Sequence, residues 1–138
     1  MNKALLDTDI LSEILKAKNA AVVSKAVAYK ENFERFTISV ITVMEVVKGL
    51  HKVGRADALA KFINGLQAIE VIPFEQNCSI LAGRMFADLE RVGQPIGKAD
   101  PMIAAIAVQH DLTLVTGNTA HYQRLQELGY SLKLDNWR

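Results

Sequence analysis

Cysteine is nearly absent: Cys78 stands alone in 138 residues, so no internal disulfide can form and no thiolate metal cluster can be built. A lone thiol fits a reducing compartment. Proline (three) and glycine (eight) are too sparse and too scattered to form a linker, and no repeat or low-complexity segment divides the chain. A single domain is expected over residues 1–138. No charge sign dominates: the net charge is +1, so no bulk field marks a nucleic-acid binder and any basic site must be local. Uncharged apolar runs fall short of the roughly 18 residues of a membrane span. The start, MNKALLDTDIL, reaches an acid after three apolar residues, unlike a signal peptide. The expectation is a soluble, cytoplasmic domain without membrane contact. Aromatics are few, and neither Tyr122 nor Trp137 belongs to a base-stacking platform.

What is present is hydrophobicity: half the residues are apolar, enough for a sizeable core. Short apolar runs alternate with helical periodicity. Strands are predicted at Ala4–Leu6, Phe36–Val40, Ile69–Ile72, Thr113–Thr116 and Tyr130–Leu134. Helices are predicted from Asp9 or Thr8 through Leu15, over Ala20–Glu31, from Thr42, over Asp57–Leu66, over Glu75–Val92, from Asp100, and near His121–Leu128. Strands separated by helices imply a parallel sheet, because parallel neighbours need long crossovers. From Met102 to Val108 every residue is apolar, so this helix has no wet face.

In such sheets ligands bind beyond the carboxyl ends of the strands. Asp7 follows the first strand, Thr116 and Asn118 follow the fourth, the second strand leads into the helix bearing Glu45, and Asp100 heads the buried helix. Asp7, Glu45 and Asp100 offer hard oxygen ligands, suited to Mg²⁺ or Mn²⁺ rather than zinc. Such an ion lowers the pKa of water and offsets phosphate charge, which makes phosphodiester hydrolysis the natural reaction. Each residue also has a plain structural explanation. Asp100 before Pro101 is a helix cap, Thr42-Val43-Met44-Glu45 is a capping box, and Asn118 after Gly117 suits a left-handed turn. Asp9 reads as a cap with a supporting role at the site. An acid ending a buried strand, as Asp7 does, points to function. Lys48, His51, Lys52 and Arg55 form a stripe on the Glu45 side if the helix continues that far. They would then either hold a nucleic-acid backbone or form a solvated face.

Three blocks, LLDTDILSEIL, ISVITVMEVVKGL and IGKADPMIAAIAVQHDLTLVTGNTAHYQRL, resemble PIN-domain proteins, in particular the ribonuclease toxins of VapBC-type toxin–antitoxin pairs. The resemblance spans nearly the whole chain. It implies a three-layer α/β/α sandwich around a mainly parallel sheet and Mg²⁺- or Mn²⁺-dependent RNA cleavage. It also implies a homodimer and an antitoxin protein whose tail covers the active site. On that pattern Asp7, Glu45 and Asp100 are the catalytic, metal-holding acids. Asn118 stands where many members carry a fourth acid, which puts a second ion in doubt, and Thr116 matches the hydroxyl residue before it. Two readings from other classes, a phosphatase and a receiver-like signalling domain, fit less well. The LLDTDIL start also resembles haloacid dehalogenase-type phosphatases, with Asp7 as nucleophile and Asp9 as general acid, but Asp100 precedes the LVT segment and no GDxxxD follows. A receiver-like domain would need an acid closing the IEVIPF strand. A non-catalytic PIN-type fold that binds RNA or a partner remains the other reading.

Overall fold

The structure is a computed structural model describing all residues 1–138. Five strands, β1 (Ala4–Leu6), β2 (Thr37–Ser39), β3 (Glu70–Ile72), β4 (Thr113–Val115) and β5 (Lys133–Asp135), are each three residues long. All pairings are parallel: β1 with β4, β4 with β5, and β2 with β3. The hydrogen bonds define two sheets, β1-β4-β5 and β2-β3, and β2 lies alongside β1, so that the strands follow one another in the order β3-β2-β1-β4-β5.

Alternation along these strands splits the interior into two cores. Leu5, Ile72 and Leu114 point to one face and pack under α5 (Gln76–Arg91), α6 (Asp100–Gln109) and α7 (Thr119–Glu127). Ala4, Leu6, Ile38 and Val115 point to the other. They meet α1 (Thr8–Lys16), α2 (Ala20–Phe33), α3 (Val40–Lys52) and α4 (Ala56–Gly65). This is the expected α/β/α sandwich. The apolar run of α6 is enclosed as its composition predicts: Ile103, Ala104, Ala105, Ile106 and Ala107 are all fully buried. No helix is long and apolar enough to cross a membrane.

Several local expectations are corrected. Strand β5 begins at Lys133 rather than Tyr130, because pairing starts where β4 offers Thr113 as partner. The apolar spacing of α2 points to a stripe of Val22, Val23, Ala26 and Val27, but the buried residues are Val22, Ala26 and Tyr29, and Val27 is exposed. Helix α3 starts at Val40 with Ser39 as its cap; the Ser39 hydroxyl accepts from the Thr42 amide at 3.1 Å. The Thr42–Glu45 capping box therefore does not exist. Asp7, and neither Thr8 nor Asp9, is the N-cap residue of α1. α3 ends at Lys52, and Gly54, at φ 72°, turns the chain, so Arg55 leaves the basic stripe and begins α4.

Candidate active site

Strand β1 delivers Asp7 into a nearly closed environment, with 5% of its surface exposed. Its amide donates to the Val115 carbonyl at 2.9 Å, which locks it beside β4. Four groups surround the carboxylate. Oδ1 accepts from the Thr8 amide at 2.8 Å. Oδ2 accepts from the Thr116 hydroxyl at 2.8 Å and from the Tyr122 hydroxyl at 3.2 Å. The fourth is the Asp100 carboxyl, whose charge acts on both Asp7 and Tyr122.

Burial pushes the Asp7 pKa up to about 7, and the charges of Asp9 and then Asp100 act in the same direction, against the donors at Thr116 and Thr8. No basic side chain neutralises Asp7. An ionised acid in such a place either takes a proton or needs a cation.

Asp100 is the first residue of α6 and does not cap it. Its Oδ2 reaches back to accept from the Gly97 amide at 3.2 Å, fixing the loop that enters the helix. A Cβ on Gly97 would fall 2.8 Å from that same oxygen, so a side chain there would displace the Asp100 carboxyl.

Glu45, one turn into α3, accepts from the Thr8 hydroxyl at 2.5 Å, and Thr8 and Thr42 share a 3.0 Å hydroxyl contact. Since Thr8 gives its single proton to Glu45, Thr42 donates to Thr8. Glu45 is thus linked to Asp7 through one residue, Thr8, which holds Asp7 by its amide and Glu45 by its hydroxyl.

Asp9 lies near Asp7 but is engaged elsewhere. Its Oδ2 accepts from the Gly117 amide at 2.9 Å and lies 3.6 Å from Arg138, while Oδ1 accepts from Ile10. Burial raises its pKa, with the Gly117 and Ile10 amides and Arg138 opposing. Asn118 is exposed at the start of α7; its φ of −104° excludes the left-handed turn, and its side chain makes no cap bond. Its amide donates to the Thr116 hydroxyl at 3.0 Å, which leaves the hydroxyl proton directed at Asp7. Lys48 and Lys52 are exposed on α3, in the same helical row as Glu45, and Arg55 is exposed beyond it.

The folded chain therefore brings Asp7 and Asp100 together around Tyr122 and attaches Glu45 through Thr8. No three acids are packed closely enough to enclose an ion unaided. Magnesium does not require such a cage: it keeps several waters and is commonly held by one or two carboxylates. The donor set, oxygen only with an uncompensated buried carboxylate at its centre, fits a hard divalent cation. Thr8, Tyr122 and Arg138 are the participants that sequence reasoning missed. The only signal available was the position of Thr8 between two acids.

A parallel α/β/α sandwich with acids beyond the ends of β1 and β2 and at the head of α6 is the arrangement of a nuclease-like site. The family model of the PIN domain matches residues 4–127, and the chain belongs to the PIN-domain family. Within it the likeness is to VapC ribonucleases. The chain is 30% identical over 138 residues to the tRNA(fMet)-specific endonuclease VapC of Shigella flexneri, covering 99% of each chain. Among solved structures it superposes on DNA-bound VapBC from Salmonella typhimurium with a TM-score of 0.83 and 29% identity, covering 100% of both chains. VapBC2 from Rickettsia felis, bound to a DNA fragment from their promoter, gives a TM-score of 0.82 at 26% identity and 98% coverage of both. These likenesses set aside the phosphatase and receiver alternatives.

Proposed function

We propose that this chain is a Mg²⁺- or Mn²⁺-dependent endoribonuclease and the toxin of a toxin–antitoxin pair, acting in the cytoplasm on RNA. The observation that carries the metal dependence is the environment of Asp7. It is buried, its pKa is raised to about 7 with the charges of Asp9 and Asp100 among the causes, and it lacks a basic partner. Asp7 and Asp100 would hold the ion, with Glu45 completing the set. When bound, the ion supplies positive charge that offsets the phosphate and acidifies water.

The remaining work falls to the chain's own groups. Thr116 and the Thr8 amide orient the Asp7 carboxylate. Thr8 holds Glu45 toward the same edge, so that its carboxylate is available to accept a proton from water. Buried α6 shields the floor of the site from solvent. Lys48 and Lys52, exposed on the Glu45 helix, would take RNA phosphates, with Arg55 just beyond the helix as a further contact. Asn118 adds a neutral oxygen at the rim and no charge, which favours a single ion over two.

An antitoxin as partner is supported by the VapBC neighbours, which contain VapB together with VapC. A homodimer is expected from the family resemblance. RNA cleavage that disappears with EDTA and returns with Mg²⁺ or Mn²⁺ is the expected result. RNA binding without metal-dependent cutting would favour the non-catalytic reading. Growth arrest on expression, relieved by the product of an adjacent gene, tests the toxin assignment.

A further inference from the structure

We infer that Tyr122 is a positioning residue of the site: its hydroxyl, set between the carboxyls of Asp7 and Asp100, determines which oxygen of Asp7 is left to take a cation. This inference rests on the metal-dependent reading above.

The ring of Tyr122 is fully buried in the core beneath α5, α6 and α7, in the company of Ile103, Ile106 and Leu125. A buried tyrosine needs a partner for its polar tip. Here the tip donates to Asp7 Oδ2 at 3.2 Å, across 115 residues of chain, and lies close enough to Asp100 to feel its charge. A carboxylate oxygen has two lone pairs. Those of Oδ2 are filled by Thr116 and Tyr122, whereas Oδ1 has only the Thr8 amide. One acceptor position is therefore open, and it is on Oδ1.

Thr116 and Tyr122 are not equivalent in this. Thr116 sits on the same sheet edge as Asp7 and ties two neighbouring strands. Tyr122 comes from α7 and is the one hydroxyl that addresses both β1 and α6, the elements carrying the two acids. Phenylalanine would fill the same space and delete only the donor. Oδ2 would regain an open lone pair, and Asp7 and Asp100 would be without the group they share. Outer partners that orient metal ligands typically contribute about 10–100-fold to metal affinity.

The plain alternative is a core tyrosine whose hydroxyl is merely satisfied. Tyr122→Phe separates the two, with Tyr130→Phe as control. Tyr130 donates to Asp88 at 2.5 Å on α5, and Asp88 takes no part in the site. Calorimetric titration of the purified chains with Mn²⁺ alone, after thermal melts establish that each variant is folded, is the measurement. The expected result is Mn²⁺ binding about 10-fold weaker in Tyr122→Phe and unchanged in Tyr130→Phe. Equal affinity in wild type and Tyr122→Phe would overturn the positioning role and leave the nuclease reading intact. Absence of Mn²⁺ binding by the wild type would overturn both.

Discussion

The Thr8 hydroxyl lies 2.5 Å from Oε1 of Glu45, joining the first turn of α1 to α3 across 37 residues. That contact, in place of a capping box, sets the direction of the Glu45 side chain. Glutamine retains an oxygen that can accept from Thr8, and asparagine at 100 retains one for the Gly97 amide. Glu45→Gln and Asp100→Asn should therefore keep stability within about 1 kcal/mol of wild type. Cleavage of RNA should fall by more than the roughly 10–100-fold that outer partners cost. Denaturant melts and single-turnover cleavage assays check the two halves. Near-normal cleavage by both variants would return these acids to a structural role.

Stability should depend on pH in a direction set by Asp7. Its ordinary pKa of 3.8 becomes about 7 in the folded chain, so between those values the folded state holds a proton that the unfolded state has released. The Asp7 contribution to stability is full below pH 4, falls as pH rises toward 7, and then levels. A shift of this size corresponds to a decrease of about 4 kcal/mol. Glu70, with a lowered pKa from the Thr37 hydroxyl and then Lys3, acts in the opposite sense at lower pH. Comparison with Asp7→Asn isolates the Asp7 part: urea midpoints of the metal-free wild type should drop across this window, and those of the variant should drop less. Adding Mn²⁺ at pH 8 should recover the wild type only.

Gly117 has no room for a side chain. A Cβ there would run into the Arg138 guanidinium and fall 2.7 Å from Asp9 Oδ2. The arginine tip can swing away; Asp9 is held by the Gly117 amide itself. Gly117→Ala should release Arg138 from Asp9 and cost about 1 kcal/mol. A double-mutant cycle with Asp9→Ala should show that most of this cost vanishes once the carboxylate is gone. Additive effects would mean the strain lies elsewhere.

Lys48 and Lys52 are exposed on the α3 face that carries Glu45. Their replacement by alanine should raise KM for RNA and leave kcat nearly unchanged. Removing one lysine that pairs with a phosphate should flatten the log–log salt dependence of RNA binding by about 0.7. Arg55→Ala should have the smaller effect, since Gly54 turns it off the stripe. An unchanged salt slope in the double variant would assign these lysines to a solvated face.

The sheet was legible because its strands are bounded by helical periodicity, and strand direction follows from crossover length. Leu5 and Leu6 could be assigned to opposite faces by alternation alone. The start of α3 was not legible, since Ser39 and Thr42 are both good caps. What decides between them is where β2 stops, which depends on pairing of Ser39 with Ile72 on β3. Asp7 and Asp100 could be picked out because an acid ending a buried strand or heading a buried helix is costly without a role. Tyr122 could not. Its partner is a carboxylate far back in the chain, and a tyrosine in an amphipathic helix reads equally well as core. Asp9 is similar: its links to Gly117 and Arg138 exist only once β4 and the last residues lie beside α1.

The central claim is that Asp7 and Asp100 share a divalent cation. The anomalous difference map of a crystal soaked in Mn²⁺ tests it directly. The account predicts a peak beside Asp7 and Asp100, and no such peak in Asp100→Asn. A map whose peaks lie only at exposed acids, with Asp7 left to Thr8, Thr116 and Tyr122, would contradict it.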